Sequence, residues 1–599
     1  MTRAQARLRR TRPNGATPNR LVALLVVWVL ACLALLARMV DLQVVRGGAL
    51  ERLALRQQME AVDIPGRRGV ILDRAGRPLA INVEVDSIYA VPRAITDPRA
   101  FARRVAPVLG VTPAEVVARL GRGGRYFAWL ARRQPVAVAK ALAGLGLGGK
   151  IGVVPEAQRD YPNGPLAASV IGFAGTDDRG LAGLELQYND LLQGASGAGT
   201  ANRDAIGREL MQTLQILTPP RDGDTVVLTL DAVIQHIAER ELANAVRQAH
   251  ALGGVAIVMD PQTGAILALA STPSFDPNVY EHSPPSLWKS AAVSNVYEPG
   301  STFKLILATA ATASGAFTRD DRVTDPGQIH INGVTIHDAE RSEHFASLSL
   351  SEIIKYSSNV GAAQIATRVG KATYARYIRA FGFGRPTGID LPGEASGLVR
   401  PIGQWFGPTL QNIGFGQGIS VTPIQLLVAE SALATGGIEV RPHLLGSVRD
   451  GEGRPLAPPD GPQPHRVVPA GVAAQVFAMM RGVLTDGGTG VKARIPGFTV
   501  AGKTGTAQKP SPHGGYESGG YIASFVGVVP ATDPRLAMLV VIDHPQGLYY
   551  GGDVAAPVFR EIGRQVLWYL QIPPSAPPAD SDAASEAPAP PAAARAAAR

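Results

Sequence analysis

The hydrophobic pattern divides the chain into an apolar segment, two folded regions and a polar tail. Leu21 to Ala37 are apolar without interruption. The first folded region extends to about residue 220 and carries short alternating runs such as GVILD and SIYAV, which predict strands. It also holds an Arg- and Ala-rich stretch near 98–145, which predicts helix. The second region begins with the strand pattern TVVLTLD at 225–231 and extends to about residue 570.

In the second region, helical and strand patterns are mixed. AVIQHIAERELANAV predicts a helix, GGVAIVMDPQTGAILALAS predicts two strands joined by a PQTG turn, and LAMLVVID predicts a strand. This mixture is typical of an α/β or α+β domain. Beyond Ile572 the composition changes to Pro, Ala and small polar residues, which bury too little apolar area to offset chain entropy. We expect that tail to be disordered.

The apolar segment predicts a membrane anchor. Its 17 residues are just enough to span a bilayer, and six arginines precede it without an acidic residue. The positive-inside rule therefore places the N-terminus in the cytoplasm and the rest of the chain outside it. A cleaved lipoprotein signal is the alternative, since VLAC ends at Cys32, but the apolar run continues for five residues beyond it. A retained anchor is favoured.

Composition excludes several kinds of site. The formal charge is +9, but outside the N-terminus the basic residues are interleaved with acidic residues and form no runs. This pattern argues against nucleic-acid binding. A single cysteine can form neither a disulfide framework nor a thiolate zinc site. His330, His337 and His344 recur every seven residues, but turn and strand patterns around them would not keep them on one helical face. We therefore predict no metal.

The candidate chemistry begins at YEPGSTFK, residues 297–304. Pro299 and Gly300 precede a helical pattern, so Ser301 and Lys304 are expected one turn apart near a helix N-terminus. A neutral lysine amine can activate a serine hydroxyl. Lowering the lysine pKa from about 10.4 to about 7 requires roughly 5 kcal/mol, which burial, the helix N-terminus and a second cation could supply. SxxK alone also fits an ordinary amphipathic helix.

Two further motifs strengthen this hypothesis by their order. Ser357 and Asn359 form an SxN triplet after a helical pattern, and KTGT follows at 503–506. Together the three motifs supply a nucleophile, a base, a second hydroxyl, an orienting amide and a cation beside a strand. Each fragment alone could be a capping serine or a solvated lysine, but the set is typical of serine acyl enzymes.

With these motifs the chain resembles the class B penicillin-binding proteins, the membrane-anchored peptidoglycan transpeptidases. The resemblance also rests on RRGVILDRAGRPLA, RDYPNGPLAASVIGF, GLAGLELQYNDLLQG, RDAIGREL, MDPQTGAILALASTPSFDPN, FGFGRPTGIDLPGE and VTPIQL. IDHPQGLYYGGDVAAPVF, the single anchor and the length are more similar to the division-specific FtsI type than to the elongation type.

The resemblance implies an α/β (α+β) transpeptidase fold with one N-terminal transmembrane helix and an elongated α+β pedestal. The expected parts are a basic cytoplasmic tail (1–20), the anchor (21–40), a dimerisation or pedestal domain (41–220), the transpeptidase domain (221–572) and the tail (573–599). The protein is expected in the inner membrane, with its catalytic domain outside the cytoplasm. Implied partners are peptidoglycan stem peptides on lipid-linked nascent glycan, β-lactams, an FtsW-type glycosyltransferase and other divisome membrane proteins.

The resemblance also implies a role for each site residue. Ser301 would attack the penultimate D-Ala carbonyl of a stem peptide, releasing D-Ala and forming an acyl-enzyme that an amine resolves. Lys304 would be its base, while Ser357 would relay a proton to the leaving amine and Asn359 would hold the substrate amide. Backbone N–H groups of Ser301 and Thr506 would form the oxyanion hole. The terminal carboxylate would bind Lys503, Thr504, Gly505 and Thr506, and no cofactor is required.

Several alternatives share these motifs. A class A β-lactamase needs a carboxylate in an ExxLN stretch, and the nearest match, ESALA at 430–434, has Ala434 in place of the asparagine. A D,D-carboxypeptidase, with water as acceptor, and an elongation-type enzyme remain open. A mainly non-catalytic divisome scaffold is the alternative from another class, although the intact motifs argue against it.

Two glycine-rich stretches resemble nucleotide sites. GFTVAGKT at 497–504 satisfies GxxxxGK[ST], but the glycines and prolines that follow cannot sustain the helix that a phosphate loop requires. The stretch FTVAGKTGTAQ is instead predicted to be a strand. GFGQG at 414–418 lacks the flanking βαβ context of a dinucleotide fold. We therefore predict no nucleotide.

Overall fold

A computed structural model describes residues 18–48, 50, 59–64, 66–124, 126–203, 209–318, 320–339, 345–456, 463–509, 511, 516 and 520–576. The basic residues before position 18, part of RDAIGREL, His344 and the tail beyond residue 576 lie outside this described part. What the sequence predicts for these residues stays a prediction.

Both folded regions contain α-helices and β-strands. The α-helices are Pro18–Val40, Pro98–Leu109, Pro113–Arg122, Val136–Ala143, Ala168–Ile171, Gly183–Gln187, Asn189–Leu192, Ala232–Gln248, Ala291–Ser294, Lys304–Ala313, Leu350–Tyr356, Asn359–Val369, Lys371–Ala380, Thr409–Gly414, Pro423–Ala434, Ala470–Gly482 and Gly551–Tyr569. The strands are Met59–Ile64, Ile71–Leu72, Pro78–Ala90, Ala128–Gln134, Ile151–Asp160, Gly197–Arg203, Glu209–Thr218, Thr225–Leu228, Gly253–Met259, Ile266–Thr272, Arg322–Asp325, Gln328–Ile331, Val334–His337, Phe345–Ser349, Ile438–Glu439, Leu445–Arg449, Pro455–Leu456, His465–Arg466, Ala501–Gln508, Tyr521–Val529 and Leu536–Asp543.

The predicted apolar segment forms the helix Pro18–Val40. Its leucines and valines are exposed, and Trp28 is 68% exposed. Within the described residues, Asn19–Val45 is the one stretch long and apolar enough to cross a membrane. A helix that leaves this much apolar surface uncovered by protein is a candidate for burial in lipid.

The expectation of helix near 98–145 is wrong at one segment, the strand Ala128–Gln134, whereas Val136–Ala143 is helical as expected. The strand Ala128–Gln134 follows two helices and pairs antiparallel with Pro78–Ala90. Its first residues alternate between buried and half-buried, and Trp129 makes an edge contact with the ring of Tyr89. Pairing with the neighbouring strand outweighs the helix propensity of alanine and arginine, because the stability of a β-strand depends on burial and on side-chain packing against that neighbour.

A buried ion cluster joins three of the N-terminal sequence motifs. Glu185 accepts from Arg68 Nε and from Arg159 Nε, each at 2.6 Å, and all three side chains are buried. Tyr161 also donates to Glu185, at 3.3 Å. Buried charges persist only when they are paired in this way, so RRGVILD, RDYP and GLELQ depend on one another for their positions.

The second folded region is built on a five-stranded antiparallel sheet, called the central sheet below. Its strand order is Ile266–Thr272, Gly253–Met259, Leu536–Asp543, Tyr521–Val529 and Ala501–Gln508. The inner strands are buried at almost every position. Such strands read as continuous apolar runs because both faces of the sheet are covered. Ala501–Gln508 lies at one edge of the sheet, opposite Ile266–Thr272, and is called the edge strand below.

Two groups of helices pack on the central sheet. Ala232–Gln248, whose N-terminus is capped by the Asp231 carboxylate, packs against Gly551–Tyr569, and both contact the sheet. Pro423–Ala434 and Ala470–Gly482 also pack on one another and on the sheet, with the helix Lys304–Ala313 against the second of them. The helices therefore hold the start of Lys304–Ala313 beside the edge strand.

The two folded regions are joined by shared strands and a polar contact. Thr225–Leu228 pairs in parallel with Ile71–Leu72 and antiparallel with Leu445–Arg449. Beside it, Arg77 donates to Asp73 at 2.6 Å and to Asp231 at 2.7 Å. Part of the first region, including Ile71 and Leu192, therefore shares a hydrophobic core with the second region. Buried residues between Ile88 and Leu147 form a separate core within the first region.

Candidate active site

Ser301 lies in a tight turn that packs against the edge strand. The turn is the 3₁₀-helix Gly300–Phe303, and Lys304 starts the α-helix that follows. Gly300 has φ +58°, and a Cβ there would lie 2.9 Å from the carbonyl oxygen of Thr506. Only glycine combines that conformation with so close an approach. The sequence EPG therefore brings Ser301 against the KTGT strand.

Lys304 lies behind Ser301 and is fully buried. Its Nζ donates to the Ser357 carbonyl, to Asn359 Oδ1 at 2.8 Å and to Ser357 Oγ at 3.4 Å. Within the described residues no hydrogen bond joins Lys304 to Ser301 Oγ. Burial lowers the pKa of Lys304 well below its usual value, and the charge of Lys503 lowers it further. A neutral amine at this position can accept a proton.

The SxN motif joins two helices at a left-handed residue. Ser357 has φ +63° and ends the helix Leu350–Tyr356, and Asn359 begins the next helix. Left-handed backbone is uncommon for a serine and clusters at functional sites. The conformation turns the Ser357 hydroxyl toward both lysines.

Two buried aspartates accept hydrogen bonds from the SxN motif and the residue after it. Asp325 accepts from the Ser358 hydroxyl at 2.5 Å, and Asp338 accepts from the backbone N–H of Asn359 at 2.6 Å and of Val360 at 3.0 Å. Burial, together with the neighbouring Asp325, raises the pKa of Asp338 to about 6. The charges of both aspartates also favour the ammonium form of Lys304, which partly offsets the lowering of its pKa by burial.

Lys503 is buried within the edge strand. Its Nζ donates to Ser357 Oγ at 2.9 Å, to the Thr504 carbonyl at 3.1 Å and to Thr504 Oγ1 at 3.2 Å. Burial lowers the pKa of Lys503 to about 7, and the charge of Glu430 opposes that change. Ser357 Oγ is therefore the point at which the three sequence motifs meet.

The rest of the edge strand forms one wall of the site. Thr504 Oγ1 lies 2.7 Å from Thr489 Oγ1, and Thr506 Oγ1 accepts from the Gly551 N–H at 3.0 Å. A Cβ at Gly505 would lie 2.3 Å from Ser524 Oγ and 2.9 Å from a Thr302 methyl group. Glycine at that position thus lets the nucleophile turn pack against the strand.

These residues border an open cleft of about 690 Å³. Its lining includes Ser301, Ser357, Asn359, Thr504, Thr506, Tyr521 and Tyr549. Lys304 and Lys503 are buried behind this surface, so their charges act on the cleft through a thin polar layer of Ser357 and Thr504. The volume suits a peptide segment or a bicyclic ligand.

Two sequence interpretations can be compared with this geometry. Lys503 and Thr504 lie in the strand Ala501–Gln508, as predicted, and do not start the helix that a phosphate loop requires. His330 and His337 lie on the paired strands of a hairpin. His344, the third histidine of that series, is outside the described part of the chain.

The sequence did not predict a role for three acidic residues whose charges act on the site lysines: Asp325, Asp338 and Glu430. Asp325 and Asp338 precede the residues that they contact by 33 and 21 positions, so no local spacing marks them. Glu430 was considered only as a match to ExxLN. It is buried and does not line the cleft. Its position as the one charge in an apolar helix was visible in the sequence.

Comparison with known proteins extends these observations to the whole chain. The penicillin binding protein transpeptidase domain family matches residues 254–564, and the penicillin-binding protein dimerisation domain family matches residues 63–228. Peptidoglycan D,D-transpeptidase FtsI of Escherichia coli strain K12 is 35% identical over 563 residues, covering 92% of each chain. Stage V sporulation protein D of Bacillus subtilis is also 35% identical, covering 94% of this chain and 87% of its own.

A solved structure gives the same result for the fold. Penicillin-binding protein 3 of Mycobacterium tuberculosis, in complex with aztreonam, has a TM-score of 0.68 and 30% identity. It matches 86% of this chain and 99% of its own. With SxxK, SxN and KTGT assembled around one cleft, and with both domain families matched in order, the chain belongs to the class B penicillin-binding proteins.

Proposed function

We propose that this protein is a septal peptidoglycan D,D-transpeptidase that works through an acyl-enzyme on Ser301. The meeting of Lys304, Lys503 and Asn359 around Ser357 beside Ser301 carries the proposal. This arrangement places an amine of lowered pKa and a mobile hydroxyl proton at the wall of a cleft wide enough for a stem peptide.

In the acylation step, Ser301 Oγ forms a bond to the carbonyl carbon of the penultimate D-Ala. Its proton passes to neutral Lys304, and the terminal D-Ala leaves as an amine after receiving a proton through Ser357. The backbone N–H groups of Ser301 and Thr506 hold the oxyanion, and each such donor is worth about 3 kcal/mol. An acceptor amine then replaces Ser301 at the carbonyl and forms the cross-link.

The terminal carboxylate of the donor peptide binds at the edge strand. The hydroxyls of Thr504 and Thr506 line the cleft and make the direct contacts, with Gly505 holding the strand close. Lys503 lies behind them and supplies positive charge. A carboxylate reaching this wall raises the pKa of Lys503 and so increases its charged fraction.

The exposed N-terminal helix supports a proposed location in the cytoplasmic membrane. Residues 19–45 cross the cytoplasmic membrane once, and the arginines before them keep the N-terminus inside. The cleft then works outside the cytoplasm, beside lipid-linked glycan. We propose that an FtsW-type glycosyltransferase and other divisome membrane proteins are its partners there. The similarity to FtsI supports the septal role.

A reconstitution assay tests the proposed reaction. Full-length protein in detergent is given a pentapeptide donor ending in D-Ala-D-Ala and an excess of an amine acceptor. We expect release of D-Ala and an equal amount of amide-linked product, and neither from Ser301→Ala. Release of D-Ala with only the hydrolysed tetrapeptide would instead support the D,D-carboxypeptidase alternative.

Complementation separates the enzyme from a scaffold. In cells depleted of the native protein, a Ser301→Ala chain is expected to localise normally but to leave division blocked. Full support of septation by that variant would contradict the proposed function.

A further inference from the structure

The segment 485–490, with the sequence TDGGTG, belongs to none of the three motifs but reaches the cleft. Thr489 lines the cleft and is exposed there. Its hydroxyl oxygen lies 2.7 Å from Thr504 Oγ1 on the edge strand. Thr489 therefore adds a hydroxyl group to the wall at which we propose that the donor carboxylate binds.

Close backbone packing fixes the position of Thr489. A Cβ at Gly488 would lie 2.3 Å from the carbonyl oxygen of Val483, and a Cβ at Gly552 would lie 2.4 Å from the carbonyl oxygen of Thr489. Only glycine allows two backbones to approach this closely. The backbone of Thr489 is thus held against the start of the helix Gly551–Tyr569.

Lys503 can use all of its N–H hydrogens within the protein. A lysine ammonium carries three of them, and Lys503 Nζ donates to Ser357 Oγ at 2.9 Å, to the Thr504 carbonyl at 3.1 Å and to Thr504 Oγ1 at 3.2 Å. The side chain is also fully buried and does not line the cleft. Hydroxyl groups therefore make the direct contacts with a carboxylate in the cleft, and the lysine acts through them.

The Thr489 and Thr504 hydroxyls are arranged to bind such a carboxylate together. Without a ligand, a single hydrogen bond between two neutral groups joins them. A carboxylate has two oxygens, and each can accept from one of the two hydroxyls. Hydrogen bonds to an ionised group are roughly twice as strong as those between neutral groups. Exchanging one neutral bond for two charged ones favours an anion over a neutral ligand.

We propose that Thr489 is a binding residue for the donor carboxylate and that it acts as a pair with Thr504, each hydroxyl donating to one carboxylate oxygen. This rests on the proposed function, in which the terminal carboxylate binds at the edge strand. Thr504 accepts from Lys503 while it donates to the ligand, because a hydroxyl can do both at once. Thr489 supplies a donor that the KTGT motif does not contain.

The test compares benzylpenicillin, which carries a carboxylate, with its neutral methyl ester on the full-length protein. Acylation rates over a range of concentrations give the dissociation constant of the first complex and the saturating rate separately. Thr489→Val removes the hydroxyl and keeps the shape, Thr489→Ala removes it with less bulk, and Thr489→Ser keeps it. Thr485→Val is the matched control, because the Thr485 hydroxyl donates to the Gly482 carbonyl at 2.7 Å in the same segment and does not line the cleft.

We expect wild type to bind the acid more tightly than the ester. In Thr489→Val and Thr489→Ala this preference should fall about tenfold, as for the loss of one hydrogen bond to a charged group. The saturating acylation rate should stay within about threefold of wild type, since the serine and its base are untouched. Thr489→Ser and Thr485→Val should keep the wild-type preference.

An unchanged preference in the valine and alanine variants would overturn the proposal. An equal fall in Thr489→Ser or in Thr485→Val would also overturn it, because packing of the segment would then explain the effect. Wild-type protein that labels at Ser301 but binds both ligands equally would overturn it while leaving the acyl-enzyme in place. Failure of wild type to label at Ser301 would instead overturn the proposed function itself.

Discussion

Asn359 is the residue that connects the SxN motif to Lys304. Its Oδ1 lies 2.8 Å from Lys304 Nζ, and its Nδ2 donates to the His337 carbonyl at 3.1 Å. Replacing it by aspartate puts a negative charge at the atom that Lys304 contacts, and an adjacent opposite charge raises the pKa of a lysine. The base is active when neutral, so the acid limb of the acylation profile should move to higher pH.

For Asn359→Asp we therefore expect acylation near neutral pH to fall about tenfold for each unit by which the lysine pKa rises. Part of the loss should be recovered at alkaline pH. Penicillin acylation measured across the pH range is the readout. Gln364→Glu places the same charge further along the same helix and should leave the limb in place. An unshifted limb in Asn359→Asp would exclude Lys304 as the titrating base.

At the scale of an element, the helix Leu350–Tyr356 ends in a strained backbone conformation that places the Ser357 hydroxyl near Lys304 and Lys503. Ser357 ends it at φ +63°, a conformation that costs a non-glycine residue about 1–2 kcal/mol. Ser357→Gly relieves that strain and removes the hydroxyl, whereas Ser357→Ala removes the hydroxyl and keeps the strain. We expect both variants to acylate slowly.

The glycine variant should also be more stable than the alanine variant by about 1 kcal/mol. Denaturant unfolding of the two proteins gives the difference, and penicillin labelling gives the activity. Equal stability would mean that the surrounding helices impose no strain on Ser357. Full activity in either variant would remove the hydroxyl from the proton path.

At the scale of the whole molecule, the buried cluster of Arg68, Arg159 and Glu185 holds the N-terminal region together. Glu185→Gln leaves two buried guanidinium groups without a countercharge, which should cost about 3–5 kcal/mol of unfolding free energy. The exposed pair of Arg67 and Glu84 gives the control, since Glu84→Gln should unfold like wild type. Thermal unfolding of the full chain is the measurement, and equal losses in both variants would contradict the account.

The sequence predicted more of the site than of the framework around it. The order SxxK, SxN and KTGT correctly indicated that Ser301, Lys304, Ser357 and Lys503 lie together, because each motif carries its own local geometry. The roles given to those residues stay predictions. The strand Ala128–Gln134 was missed because its partner lies far back along the chain. Asp325 and Asp338 were missed for the same reason, since only the folded hairpin brings them to Ser358 and Asn359.

Acylation of Ser301 is the step on which the proposed function depends most directly. Full-length protein is incubated with a fluorescent penicillin, its intact mass is followed over time, and the labelled peptide is mapped. We predict one adduct per chain, located on Ser301, that persists for many minutes. An adduct on any other residue, or one that clears within seconds as in a β-lactamase, would contradict the account.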